Sequence, residues 1–149
     1  MALIQSSLSS SLNSLFSDPP DTAVMCARKW AEAMRDYSLS ITPPSTTVAL
    51  ASELLATTLT SLFQSSLSAS TTATAMEAAW AVYATSVGVG MSPSYVATPP
   101  LGLVGFLSLA SATPPTSSAA ADSFSNAIHL WMSTGIAVPV PPGPSVPWT

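Results

Sequence analysis

The sequence predicts an all-α fold: a bundle of about six helices in three helix hairpins, followed by an extended Pro-rich C-terminal arm. Three observations carry that prediction. Five Pro-Pro pairs, at 19–20, 43–44, 99–100, 114–115 and 141–142, cut the chain into segments rich in Ala, Leu and Met, and proline fixes its own torsion while disfavouring a helical residue before it. Large side chains recur at i, i+4 and i+7 inside three of those segments, the spacing of a single helix face. Strand signals are scarce.

In chain order, helices are predicted near 2–17, 21–38, 46–66, 70–88, 100–112 and 115–135. Asp18, Thr42, Thr98 and Thr113 each stand directly before a Pro pair, where a side-chain oxygen can cap the first turn while proline takes the first helical position. The second segment shows the clearest period. On a helical wheel centred on Trp30, the residues Ala23, Cys26, Ala27, Met34 and Tyr37 fall on one side and Arg28, Lys29, Glu32, Arg35 and Asp36 opposite. The triplet Trp30, Met34, Tyr37 is echoed by Met76, Trp80, Tyr83 and by Phe124, Ile128, Trp131, at offsets of 46 and then 48 residues. A leucine-rich stretch precedes each, at Leu12–Phe16, Leu59–Phe63 and Phe106–Leu109. This pattern predicts a repeat of about 47 residues, one helix pair per unit.

The stretch 87–97 packs two glycines and a proline into seven residues and reads as the longest internal connection, ending the fourth helix. Residues 136–149 hold five prolines and finish at Trp148-Thr149. Such a segment is expected to run extended rather than fold on itself, so it needs a surface to lie on. The chain therefore divides into a helical domain, 1–135, and an arm, 136–149.

Composition bounds the function. Charged residues make up 7% of the chain, against about 25% in an ordinary soluble domain. Three Lys/Arg against seven Asp/Glu cannot neutralise a phosphate track, which argues against nucleic acid as a partner. A hydrophobic content of 48% argues against intrinsic disorder. One cysteine, Cys26, excludes an intrachain disulfide and any multi-Cys metal site. The N-terminus lacks the basic and apolar regions of a signal peptide. A positive mean hydropathy raises the membrane alternative, but the apolar windows are interrupted by Glu53, Gln64, Glu77 and the Pro pairs before reaching the ~20 residues a span needs.

Candidate chemistry is sparse. His129 is the only imidazole, and Asp122, Ser125 and His129 share a helical stripe that would start a hydrolase hypothesis. Residues seven apart on a helix are roughly 10 Å from each other, whereas a triad needs contact at about 3 Å, so a solvated polar face is the expectation. Glu32 and Asp36 read as an exposed charged face paired with Arg28 and Arg35. The isolated acids Glu53, Glu77 and Asp122 are expected to be exposed. No metal, cofactor or small-molecule ligand is implied, because nothing supplies a ligand set or a phosphate loop. The Ser-rich runs contain no Gly-x-Ser-x-Gly elbow. Cys26 reads as a small packed side chain, and the aromatic triplets as core rather than a ligand box. On the arm, Trp148 is expected to anchor in a neighbouring chain, with Pro139, Pro141, Pro142, Pro144 and Pro147 lining the contact; the PxxP spacing lacks the arginine of an SH3 ligand.

Seven of the ten charges lie between Asp18 and Asp36, and after Glu77 only Asp122 is charged. A nearly neutral surface promotes association, so the chain is expected to be covered in a larger assembly. The helix Trp30-Ala31-Glu32-Ala33-Met34-x-x-Tyr37, the Ala-rich helix with Trp80 and Tyr83, and the third with Trp131, Gly135 and a Pro-rich end resemble the small Ala-rich structural proteins of tailed bacteriophages. The resemblance spans most of the chain. It implies a non-enzymatic virion component of the tail, baseplate or neck, present in several copies and packing against itself and other virion proteins, with no catalytic residue to carry over. The alternatives from the residues alone are a small helical membrane protein and a hydrolase using Ser125 and His129.

Overall fold

A computed structural model describes residues 2–149. Six helices are formed: α1 (Gln5–Ser17), α2 (Ala23–Ser38), α3 (Val48–Phe63), α4 (Ala69–Val89), α5 (Phe106–Ala110) and α6 (Ser117–Met132). A small antiparallel sheet joins them, in the order β1 (Tyr95–Thr98), β2 (Ile136–Pro139), β3 (Val146–Pro147). The predominantly helical class is as the sequence predicts; the sheet is not. The third expected hairpin is also reduced, since α5 has only five residues. Helix α1 packs against α6 as well as α2, and α2 packs against α3, so neighbours are not confined to three separate pairs.

The Pro pairs mark connections, not first helical positions. After each of three pairs a threonine stands at the helix start: Thr22 accepts from the Met25 N–H at 3.2 Å and Thr116 from the Ala119 N–H at 3.0 Å, while Thr47 precedes α3 without a side-chain cap. Asp18, Thr42 and Thr113 are therefore not the N-caps, and Thr98 belongs to β1. Thr47 has other work. Its hydroxyl donates to the Ser86 carbonyl, Ser45 Oγ donates to the Val87 carbonyl at 2.6 Å, and the Thr46 N–H donates to the Gly90 carbonyl at 3.1 Å. The hydroxyl-rich turn before α3 thus satisfies the carbonyls that the end of α4 leaves open.

The large triplets meet inside. Trp30, Met34, Tyr37, Met76, Trp80, Tyr83, Ile128 and Trp131 are buried in one core, and Phe124 packs against it half-buried. Trp80 lies edge-on to Trp30 (centroids 5.4 Å apart) and to Phe106 (4.9 Å). Its indole N–H has no oxygen or nitrogen partner. Tyr83 Oη donates to the Met34 carbonyl at 3.0 Å and lies 2.9 Å from Ser38 Oγ, whose hydroxyl donates to it, tying α4 to the end of α2.

The C-terminal segment is part of this domain rather than an arm held away from it. β2 pairs with β1 in the register Val96↔Val138 and Thr98↔Ile136, and β3 turns back onto β2 with Ala137↔Val146. The end is stitched down: the Trp148 N–H donates to the Gly135 carbonyl at 2.9 Å, and Thr42 and Thr149 exchange backbone bonds of 2.6 and 3.0 Å. The expectation that 136–149 would not fold on itself fails because the five prolines fall where they do not interrupt the ladder. In β2 the residues whose backbone groups face β1 are Ile136 and Val138, as the Val140-to-Ser94 bond fixes the alternation, so Pro139 forfeits nothing there.

Candidate functional site

Trp148, expected to seat in a neighbour, is 0% exposed within its own chain. Its seat is made by two glycines. A Cβ on Gly135 would run into the indole ring, and one on Gly88 would lie 3.3 Å from it. Only the missing side chains let β2, α4 and the indole close on one another. Of the prolines proposed with it, Pro139 is half-buried and Pro141, Pro142, Pro144 and Pro147 are exposed. The neighbour-anchor role for Trp148 is thereby corrected, while those four prolines stay on the surface.

The polar stripe of α6 is not a solvated face throughout. Ser125 is fully buried and donates to the Asp122 carbonyl at 3.1 Å. His129 Nδ1 lies 2.8 Å from Tyr37 Oη. Burial pushes the Tyr37 phenol well above its ordinary range, so it keeps its proton and pairs with the imidazole as a neutral group. Asp122 receives the hydroxyl of Ser9 from α1. Ser125 meets Asp122 only at the latter's backbone carbonyl, the Asp122 carboxylate is taken by Ser9 and His129 by Tyr37, so no hydrogen bond joins two side chains of the proposed triad.

Glu77 also departs from expectation. It is 3% exposed, and its Oε1 accepts the Leu107 N–H at 3.0 Å. The residue preceding helix α5, Gly105, has no side chain to cap it; the carboxylate from α4 supplies the missing acceptor. The sequence carried no signal for this, because the two residues are brought together only by the packing of α4 on α5. Glu53 is exposed as expected, and Lys29–Glu32 (3.5 Å) and Arg35–Asp36 (3.0 Å) form the surface pairs of α2. Among the described residues no three His, Cys, Asp or Glu side chains gather as a metal site.

Two surface features remain. An open apolar groove of about 640 Å³ lies over the aromatic cluster, lined by Phe16, Cys26, Trp30, Phe63, Met76 and Phe124 among others. Burial raises the Cys26 thiol pKa, which favours the unreactive protonated form. Elsewhere the turn after β1 holds Leu101 79% and Leu103 72% exposed, while Gly102, at φ +80, offers its carbonyl to Trp131 Nε1 at 3.2 Å. That backbone bond and the buried Pro100 and Val104 fix the turn, so both leucines are held outward by the fold. In all, eighteen large apolar side chains are exposed among the described residues, against ten charged residues in the chain. No helix among the described residues is long and apolar enough to cross a membrane. Comparison with models of protein families, with curated proteins and with solved structures gives no match.

Proposed function

We propose that the chain is a non-enzymatic structural subunit of a larger assembly, a virion component of a tailed bacteriophage that packs against copies of itself and other virion proteins. The observation that carries this reading is the surface. Eleven of the eighteen exposed large apolar side chains lie after residue 81, where Asp122 is the only charged residue. An isolated protein with such an exterior gains free energy by covering it. The one nucleophile–base hypothesis has little to support it, since Ser125 bonds back to the Asp122 carbonyl of its own helix and His129 pairs with Tyr37 of α2.

The test is quantitative mass spectrometry of density-gradient-purified particles from the lysate in which the chain is made. The reading expects several copies per particle, retained after a high-salt wash, because apolar contacts are not screened as ion pairs are. Recovery of the chain only in the free protein fraction, with none in particles, would overturn it.

A further inference from the structure

The surface above leaves open which face is covered and by what. We propose that the outer face of the β1–β2–β3 sheet, with the adjoining Leu101–Leu103 turn, is the contact face of a homodimer, each copy seating it against the same face of the other. This rests on the assembly reading and names one partner for it.

The sheet has two faces with different fates. Ala97 and Ala137 are paired across the β1–β2 ladder and turn inward, Ala137 fully buried and Ala97 half-buried. Val96, Val138 and Ile136 project from the opposite side and are 63%, 36% and 42% exposed. The turn bearing Leu101 and Leu103 follows β1 directly and is pinned to Trp131, close to the start of β2. The edges of the sheet, by contrast, offer little length to another strand. The Tyr95 N–H is taken by the Met91 carbonyl, Pro99 follows β1 at once, and Pro147 ends β3. Short strands bounded by proline do not recruit another strand, so the face is what the sheet offers.

Charge selects the partner. The strands and connections of 90–105 and 133–149 contain no Lys, Arg, Asp or Glu. A partner with charged contact residues would bury them unpaired, at a heavy desolvation cost. A second copy brings the same uncharged face and buries no charge, and the residues that make each copy's net charge of -4 all lie outside it. Area is sufficient but not generous. Setting aside Val146, which pairs with the inward-turned Ala137, fourteen residues of the strands, the turn 101–103 and the connection 140–145 are exposed. At the ~30 Å² per residue of a standard interface they give roughly 840 Å² over both copies, the size of a reversible contact rather than an obligate one.

Sedimentation velocity of the full chain tests this. The wild type is expected to shift reversibly toward twice the 15.2 kDa chain mass as concentration rises. Val96→Lys and Val138→Lys place an unpaired ammonium in the contact and should each raise the dissociation constant at least ~100-fold. Both positions are exposed, so folding is retained, and circular dichroism checks it. Leu130→Lys, exposed on α6, should change the constant by no more than about 3-fold. A wild type that stays a single chain up to ~1 mM overturns the proposal. So does an oligomer that ignores both valine substitutions, and in that case the assembly reading stands while this face does not. Whether the chain belongs to particles is decided separately by their mass spectrometry.

Discussion

Trp148→Ala separates two accounts of the C-terminus. If the indole anchored a neighbour, truncating it would leave the free chain's stability within about 0.5 kcal/mol of wild type. In the structure the ring is fully buried against Gly88 and Gly135, with no room to spare. Removing a buried tryptophan costs about 3–5 kcal/mol, from lost transfer free energy and from the cavity left behind. In a chain of this length each kcal/mol lowers the melting temperature by about 2–4 °C, so a fall of roughly 6–20 °C is expected. The assay is urea and thermal unfolding of wild type and variant at low concentration, followed by far-UV circular dichroism. A loss below about 1 kcal/mol would refute the seat and return Trp148 to the role of an external anchor.

Other perturbations address single bonds. Glu77→Ala leaves the Leu107 N–H without its acceptor and should cost about 1–3 kcal/mol in urea unfolding, with Glu77→Gln losing clearly less because an amide oxygen still accepts; equal losses would argue against the cap. Thr22→Ala and Thr116→Ala should each cost about 1 kcal/mol through lost N-caps, whereas Thr113→Ala, before a Pro pair and outside the cap, should be nearly neutral. Burial raises both the Tyr37 and Tyr83 phenols above the usual value of 10.0. The unfolded chain therefore releases those protons first, so stability is whole below pH 10 and falls above it, by up to about 1.4 kcal/mol per pH unit for each tyrosine. Urea midpoints at rising pH should show that slope reduced in Tyr83→Phe; an unchanged slope would show that Tyr83 does not contribute.

What the sequence revealed and what it hid follow from the range of the interactions. Helix α2 and the three large triplets were legible because a 3.6-residue period is local: Trp30, Met34 and Tyr37 declare a buried face without reference to any other part of the chain. The sheet was not legible. Tyr95–Thr98 is a strand because Ile136–Pro139, about forty residues later, lies alongside it. The helix starts differ from the sequence expectation because none of the four Pro pairs expected at a first helical position takes it; Thr22 and Thr116, two and one residues later, do the capping, and the Thr47 hydroxyl serves a different helix altogether. The neighbours of Glu77 and Ser125 in the sequence predict exposure, and both residues are buried by elements remote in sequence. For Trp148 the available signal was glycine: Gly88 and Gly135 occupy positions where a side chain would collide with the ring.

The proposed assembly rests on an inward-facing aromatic core whose exterior is too apolar to stay alone. The most direct measurement is the weight-average mass of the purified full chain by sedimentation, from micromolar to millimolar, in low and high salt. The account predicts a mass that climbs above 15.2 kDa with concentration and is not reduced by salt, as apolar contacts require. A constant mass of one chain across that range would contradict it.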